Sequence, residues 1–254
     1  MSRPVIEVSA LRKSFRGKAI HNGISFSLEE GETLTIIGGS GTGKSVLLKQ
    51  IIGLIKPDSG RISIEGEDIT KLDEDELQRV QKKMGYVFQE AALFDSLTVG
   101  ENVAFGLQTI MEAEKPHAQK IAKQKLAMVG LMGIEEMKPS QLSGGMKKRV
   151  GVARAIAMGP EILLYDEPTT GLDPVMSAVI SDLIVKLKEE SGTTAIAVTH
   201  DMKSAYKISD KIAMLYNGKI LQIGSPEEIQ NSASPIVRQF ISGSSHGPIA
   251  VPKV

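Results

Sequence analysis

Gly38-Gly39-Ser40-Gly41-Thr42-Gly43-Lys44-Ser45 fits the pattern G-x-x-x-x-G-K-[ST] and follows the apolar run Glu32-Thr33-Leu34-Thr35-Ile36-Ile37. Beyond it, Val46-Leu47-Leu48-Lys49-Gln50-Ile51-Ile52 reads as a helix that Gly53 ends. A strand, a glycine-rich loop and a helix in that order read as a phosphate-binding loop. The glycines let successive backbone N–H groups turn toward phosphate oxygens, the helix N-terminus adds its positive dipole end, and Lys44 supplies a charge. Ser45 then offers a hydroxyl to Mg²⁺. Taken alone, the pattern is also open to reading as a glycine-rich strand-to-helix turn of some other α/β protein, and the loop names a ligand rather than a job.

A chain of 254 residues suffices for one large α/β domain, or for a core carrying a smaller insert. Hydrophobic residues at 41% and charged residues at 24% are ordinary globular usage, which argues against wholesale disorder. Lys+Arg 30 against Asp+Glu 30 leaves no bulk field, so nucleic acid is not an expected partner. With no cysteine there is neither a disulfide framework nor a thiolate metal site, and four histidines give no metal cluster. No apolar run approaches the roughly 20 residues that span a bilayer, and Met1-Ser2-Arg3-Pro4 is not followed by a signal-peptide apolar region. A soluble chain is the expectation.

Residues 5–11 and 24–28 alternate apolar with polar side chains and predict antiparallel strands ahead of the loop, joined by another at 61–65 after Asp58-Ser59-Gly60. From residue 97 to about 141 the pattern turns helical, with Ala118, Ile121, Ala122, Leu126 and Val129 at helical spacing. This predicts an inserted helical subdomain, bounded at about 90–160. Afterwards strand and helix alternate: a strand at 162–165, a helix at 175–187 opened by Asp173-Pro174, and a strand at 193–198. Asn217-Gly218 then splits strands at 212–216 and 219–223 as a hairpin turn. Residues 1–243 are expected as one domain, with 244–254 a flexible tail.

Ile162-Leu163-Leu164-Tyr165-Asp166-Glu167 is an apolar strand ending in two carboxylates. Paired with the phosphate loop it looks like a Walker B element: Asp166 to hold Mg²⁺ and Glu167 to polarise an attacking water. Leu142-Ser143-Gly144-Gly145-Met146 precedes a helix with Met146, Val150, Ala153 and Ala157 on one face. Ser143 and the glycines suit an anion-facing helix start, or a plain N-cap with Lys147, Lys148 and Arg149 solvated.

The phosphate loop, Gln89 in Val87-Phe88-Gln89-Glu90, residues 142–146, Asp166-Glu167, Gly171-Leu172-Asp173 and His200-Asp201 follow the order and spacing of an ATP-binding-cassette (ABC) ATPase, which the chain resembles from about residue 5 to 229. The resemblance implies a P-loop NTPase cassette with a mostly parallel core sheet, an N-terminal antiparallel β subdomain and the helical insert. It implies ATP and Mg²⁺ as cofactors and a homodimer that sandwiches each ATP between one subunit's loop and its partner's LSGG motif. Gly38, Gly39, Ser40, Gly41, Thr42, Gly43, Lys44, Ser45 and Val46 would then bind nucleotide in one subunit, and Ser143, Gly144 and Gly145 would face it from the other. Ser45, Gln89 and Asp166 would hold the metal, Lys44, Gln89, Glu167 and His200 would serve hydrolysis, and Asp173 would bridge the dimer. Phe15 stands where the family stacks an aromatic on adenine. A core strand residue at Phe15 and a packed strand-end histidine at His200 are the competing readings. Gly39 replaces a frequent proline, Met146 a frequent glutamine and Phe15 a frequent tyrosine, none of them a group needed for hydrolysis.

Residues 89–103, the stretch 142–149 with methionine after the glycines, and Pro235-Ile236-Val237-Arg238-Gln239-Phe240-Ile241-Ser242-Gly243 are similar to the lipid-handling cassettes of Mla-type and MCE-associated systems and their chloroplast relative. That implies phospholipid or other hydrophobic cargo, integral membrane permease subunits, an MCE-domain lipid-binding partner, and a peripheral place on the cytoplasmic face of the inner membrane. In that group residues 235–241 would reach a neighbouring ATPase subunit; ordinary docking of a short amphipathic helix on its own domain is the competing reading. A polar amino-acid or other small-solute importer ATPase, and a soluble nucleotide-switched module without a permease, are the alternatives.

Overall fold

Every residue of β3 (Thr33–Ile37) is buried, as a run without alternation requires of a strand covered on both faces, and the strand delivers the chain directly to the glycine loop. The computed structural model describes residues 4–250. It forms two units, one from the residues up to Lys71 together with those from Ile196 onward, the other Leu72–Ala195. Expectations that touch residues 1–3 and 251–254 lie outside the described residues.

In the first unit β1 (Ile6–Phe15) pairs antiparallel with β2 (Lys18–Leu28) on one side and β4 (Ser59–Ile64) on the other, and β5 (Glu67–Asp68) follows β4. These are the antiparallel strands predicted ahead of and after the loop, but β1 runs on to Phe15. A second sheet sets β3 between β9 (Lys211–Tyr216), to which it is parallel, and residues 196–199 of β8 (Thr194–Thr199). On its outer side β9 carries β10 (Lys219–Gly224) in an antiparallel hairpin. Its turn residues Asn217 and Gly218 take φ of 47° and 73°, the paired left-handed conformations that make Asn-Gly a hairpin signal.

Helices α1 (Lys44–Ile51), α7 (Met202–Ile208), α8 (Pro226–Gln230) and α9 (Pro235–Ser242) belong to the same unit. Ile37, Ala205, Ile212, Met214, Ile229 and Val237 form one buried cluster, against which Phe240 and Ile241 also pack. The apolar face of α9 therefore docks on its own unit. Beyond it, the buried Gln239 accepts from the Ile249 N–H at 2.6 Å and donates to the carbonyls of Ser244 and Ile249 at 3.3 Å each, which ties residues 244–250 back onto the helix.

The second unit holds α2 (Glu74–Gln81), β6 (Met84–Val87), α3 (Val99–Thr109), α4 (Lys115–Met128), α5 (Gly144–Ala155), β7 (Ile162–Asp166) and α6 (Pro174–Ser191). β6 and β7 pair in parallel, so the chain is α/β with an antiparallel sheet and a mixed, mostly parallel one. α3, α4 and α5 pack together through Val99, Val103 and Leu107, through Ala118, Ala122 and Leu126, and through Val150 and Ala153, all buried. Each large aliphatic side chain so buried contributes about 1.5–3 kcal/mol of transfer free energy. α2 was not predicted. Its apolar side is short, the buried Val80 and the half-buried Leu77 one turn before it, and Asp73 and Glu76 close a reciprocal capping box at its start.

Candidate functional site

The glycine loop folds on itself. Lys44, nearly buried at the head of α1, donates from Nζ to the carbonyls of Gly38 at 2.9 Å and Gly39 at 3.1 Å, and Thr42 Oγ1 donates to Gly39 at 2.9 Å. Gly43 caps α1 with φ +99°, and a Cβ there would lie 2.5 Å from Ile20 Cγ2 and 2.8 Å from His21 Nε2. Both the dihedral and the contact demand glycine at this position. Because α1 starts at Lys44, its first-turn amides and positive dipole end lie beside the loop, and the segment is built to take an anion.

His21, from β2, supports this loop and was not anticipated. It is fully buried, with Nδ1 2.7 Å from Gln50 Oε1 on α1 and Nε2 3.1 Å from the Gly43 carbonyl. Burial holds its pKa below the ordinary histidine value, outweighing the hydrogen bonds to Gly43 and Gln50 that act the other way.

In the second unit β7 ends in Asp166 and the chain continues to Glu167, both buried. Tyr86, from the adjacent β6, donates its hydroxyl to Asp166 Oδ2 at 2.9 Å. Burial first, and the Asp166 charge next, push the phenol well above the usual tyrosine range, so it stays a donor at working pH. Glu167 Oε2 accepts from Thr170 Oγ1 at 2.9 Å, and the Glu167 backbone takes φ +50°, a left-handed conformation rare outside glycine.

Lys148 departs from the expected solvated side chain. It is 7% exposed, and its Nζ donates to the carbonyl of Gln89 and, at 3.3 Å, to that of Glu167. Burial lowers its pKa, while the charges of Glu90, Glu167 and Asp166 favour the ammonium. The Gln89 side chain itself is exposed just beyond β6.

Ser143 caps α5, accepting from the Met146 N–H at 3.3 Å. Gly144 is exposed, whereas Gly145 is buried where α5 meets α6: a Cβ would stand 2.5 Å from Met176 Cε. Asp173 caps α6 through Val175 N and Met176 N at 2.9 and 3.0 Å, as Asp173-Pro174 predicts. In the first unit His200 is exposed immediately after β8, which is not the setting of a packed strand-end histidine. Phe15 is 42% exposed at the end of β1 with the Lys13 ammonium 5.3 Å from its ring centroid, so it is not a core residue either.

Asp166 and Gln89 in the second unit, and Ser45 in the first, each carry a side-chain oxygen of the kind that a hard cation such as Mg²⁺ takes. No group of three or more His, Cys, Asp or Glu able to hold a metal occurs among the described residues. An ion resting on one carboxylate with waters and substrate phosphates is the usual Mg²⁺ arrangement, and the chemistry of the buried Asp166 carboxylate fits it.

Comparison with known proteins agrees with these features. Residues 21–170 match the family model described as ABC transporter. The chain is 40% identical over 246 residues to the "probable ribonucleotide transport ATP-binding protein mkl" of Mycobacterium tuberculosis, spanning 97% of this chain and 68% of that one. It is 37% identical over 249 residues to the intermembrane phospholipid transport system ATP-binding protein MlaF of Haemophilus influenzae, spanning 98% of this chain and 94% of that one. In three dimensions it is similar to a dimeric, post-hydrolysis structure of the ATP-binding cassette MJ0796 bound to ADP and Pi, with a TM-score of 0.80 and 34% identity over 87% of this chain and 98% of the other.

Proposed function

We propose, because this chain belongs to the ABC transporter family as one of its ATPases, that it drives a membrane transporter whose cargo is phospholipid or another hydrophobic molecule. ATP hydrolysis is the reaction of the family. The cargo reading rests on the match to MlaF, which runs nearly end to end in both chains. The mkl relative, whose name assigns ribonucleotide transport, extends well beyond the matched region.

In this reading the loop residues Gly38, Gly39, Ser40, Gly41, Thr42 and Gly43, with Lys44, Ser45 and Val46, take the phosphates, and the exposed ring of Phe15 stacks on the base. Asp166 is the carboxylate for the metal, joined by Ser45 and Gln89. When bound, Mg²⁺ neutralises phosphate charge. Glu167 is the general base toward the attacking water, with Gln89 touching the metal or that water and His200 contacting the terminal phosphate. Ser143, Gly144, Gly145 and Asp173 face a second copy, in keeping with the dimeric cassette to which the fold is similar. No helix among the described residues is long and apolar enough to cross a membrane; in this reading integral permease subunits supply the path through the bilayer. The chain then sits peripherally on the cytoplasmic face of the membrane, with an MCE-domain protein as a further component.

Affinity purification of the full chain from detergent-solubilised membranes, with mass spectrometry of proteins and lipids, tests the cargo. Recovery of a polytopic permease and an MCE-domain protein carrying phospholipid is the expected result. Recovery of a small-solute permease without lipid overturns the cargo and leaves the ATPase assignment standing.

A further inference from the structure

We propose that Lys148 is a positioning residue for hydrolysis, its ammonium fixing the backbones of Gln89 and Glu167 together, a role that rests on the assignment of those two residues above. A lysine ammonium is costly to remove from water and stays buried only where acceptors replace the solvent. Here the acceptors are the main-chain carbonyls of two residues assigned to hydrolysis, 59 and 19 positions away in sequence. One donor thereby sets the distance between the segment after β6 and the segment after β7.

The backbone of Glu167 gives that bond a specific task. At φ +50° a glutamate is held in a conformation that it leaves unless its surroundings fix it. Its carbonyl is held from two sides, by the Thr170 N–H at 3.3 Å and by Lys148 at 3.3 Å, while Thr170 Oγ1 holds the carboxylate. Release of the carbonyl lets the backbone relax and moves the carboxylate with it. The ammonium also offsets the mutual repulsion of Glu90, Glu167 and Asp166, the three carboxylates whose charges act on it. Because Lys148 stands on α5, the helix that Ser143 caps, displacement of that helix would be felt at both carbonyls.

The test uses the full chain and the variants Lys148→Met, which keeps an unbranched stem without donors, and Lys148→Arg, which keeps charge and donors. Expected for Lys148→Met is a fall in kcat of about tenfold or more, with KM for ATP and the affinity for a fluorescent ATP analogue within about threefold of wild type. Lys148→Arg should recover most of the lost kcat. In a Glu167→Gln background Lys148→Met should add little, since the lysine acts through that glutamate. A kcat within twofold of wild type in Lys148→Met overturns the proposal. So does a loss that Lys148→Arg fails to recover while nucleotide affinity falls in parallel, the pattern of a merely structural residue. Undiminished hydrolysis by Glu167→Gln alone would instead remove the base assignment; a tenfold loss in Lys148→Met would then still locate the lysine at Gln89.

Discussion

Removal of a single oxygen atom, in Tyr86→Phe, isolates the support that β6 gives to the metal-site carboxylate. The ring keeps its place: Tyr86 is buried, and it packs tilted against Phe88 with centroids 4.5 Å apart. What disappears is one O–H donor 2.9 Å from a buried carboxylate oxygen. Hydrogen bonds to charged groups contribute about 1.5–3 kcal/mol. Asp166 engages other groups as well, so the lower part of that range applies, about 2 kcal/mol. For a protein of this size each kcal/mol corresponds to about 2–4 °C, giving a fall in Tm of about 4–8 °C. If half of the energy is expressed in orienting Asp166, the Mg²⁺ concentration that half-saturates ATPase activity rises about fivefold. Differential scanning fluorimetry and a Mg²⁺ titration at saturating ATP measure the two effects. An unchanged Tm together with an unchanged titration would show that the phenol does not support the carboxylate, and the reasoning would fail.

Two further outcomes follow from buried groups of the site. Glu167→Gln keeps an oxygen able to accept from Thr170 Oγ1, so the chain should fold and bind ATP within about threefold of wild type while kcat falls about 10²- to 10⁴-fold; hydrolysis within tenfold of wild type in a phosphate-release assay would exclude Glu167 as the base. His21 sets a pH dependence. Its folded pKa is depressed by burial, so the unfolded chain binds the proton more readily, and the stabilisation is complete above the unfolded value of about 6.5 and is lost as pH falls through the folded one. Urea unfolding between pH 7.5 and 5.5 should show wild type losing its advantage over His21→Leu as pH falls, with a slope of at most about 1.4 kcal/mol per pH unit for one proton. A constant difference would mean that His21 carries the same charge folded and unfolded.

Local patterns reached the elements whose signals lie within one turn or one strand. The uninterrupted apolar run became β3, Asn217-Gly218 became the hairpin turn, and Asp173-Pro174 became the cap and first residue of α6. α2 escaped because its apolar side is only Leu77 and Val80, one turn apart among charged and polar residues, too short a repeat to stand out; its Asp73-x-x-Glu76 box was the available signal. For Phe15 and His200 the competing core readings were local guesses about burial, and burial is decided by the rest of the fold. Phe15 lies where β1 outruns the alternating segment, and His200 lies just past the end of β8, so both are exposed.

The supporting residues were illegible for a different reason. His21 reaches Gly43 across 22 residues, Lys148 reaches Gln89 across 59, and Tyr86 reaches Asp166 across 80. No window of sequence contains both partners, and each residue has an unremarked local identity: a strand histidine, a lysine in a basic run and a strand tyrosine. Each nonetheless binds a position that a motif identified, by its backbone carbonyl at Gly43, Gln89 and Glu167 and by its carboxylate at Asp166. A motif fixes which groups meet the substrate, because glycine, lysine, serine and carboxylate are each chosen by local chemistry. It leaves open how those groups are held in place, because a carbonyl accepts from any donor the fold brings near it. Different donors can therefore serve the same carbonyl, and substitutions at Lys148 or Tyr86 should alter turnover and metal requirement before they alter the recognition of nucleotide.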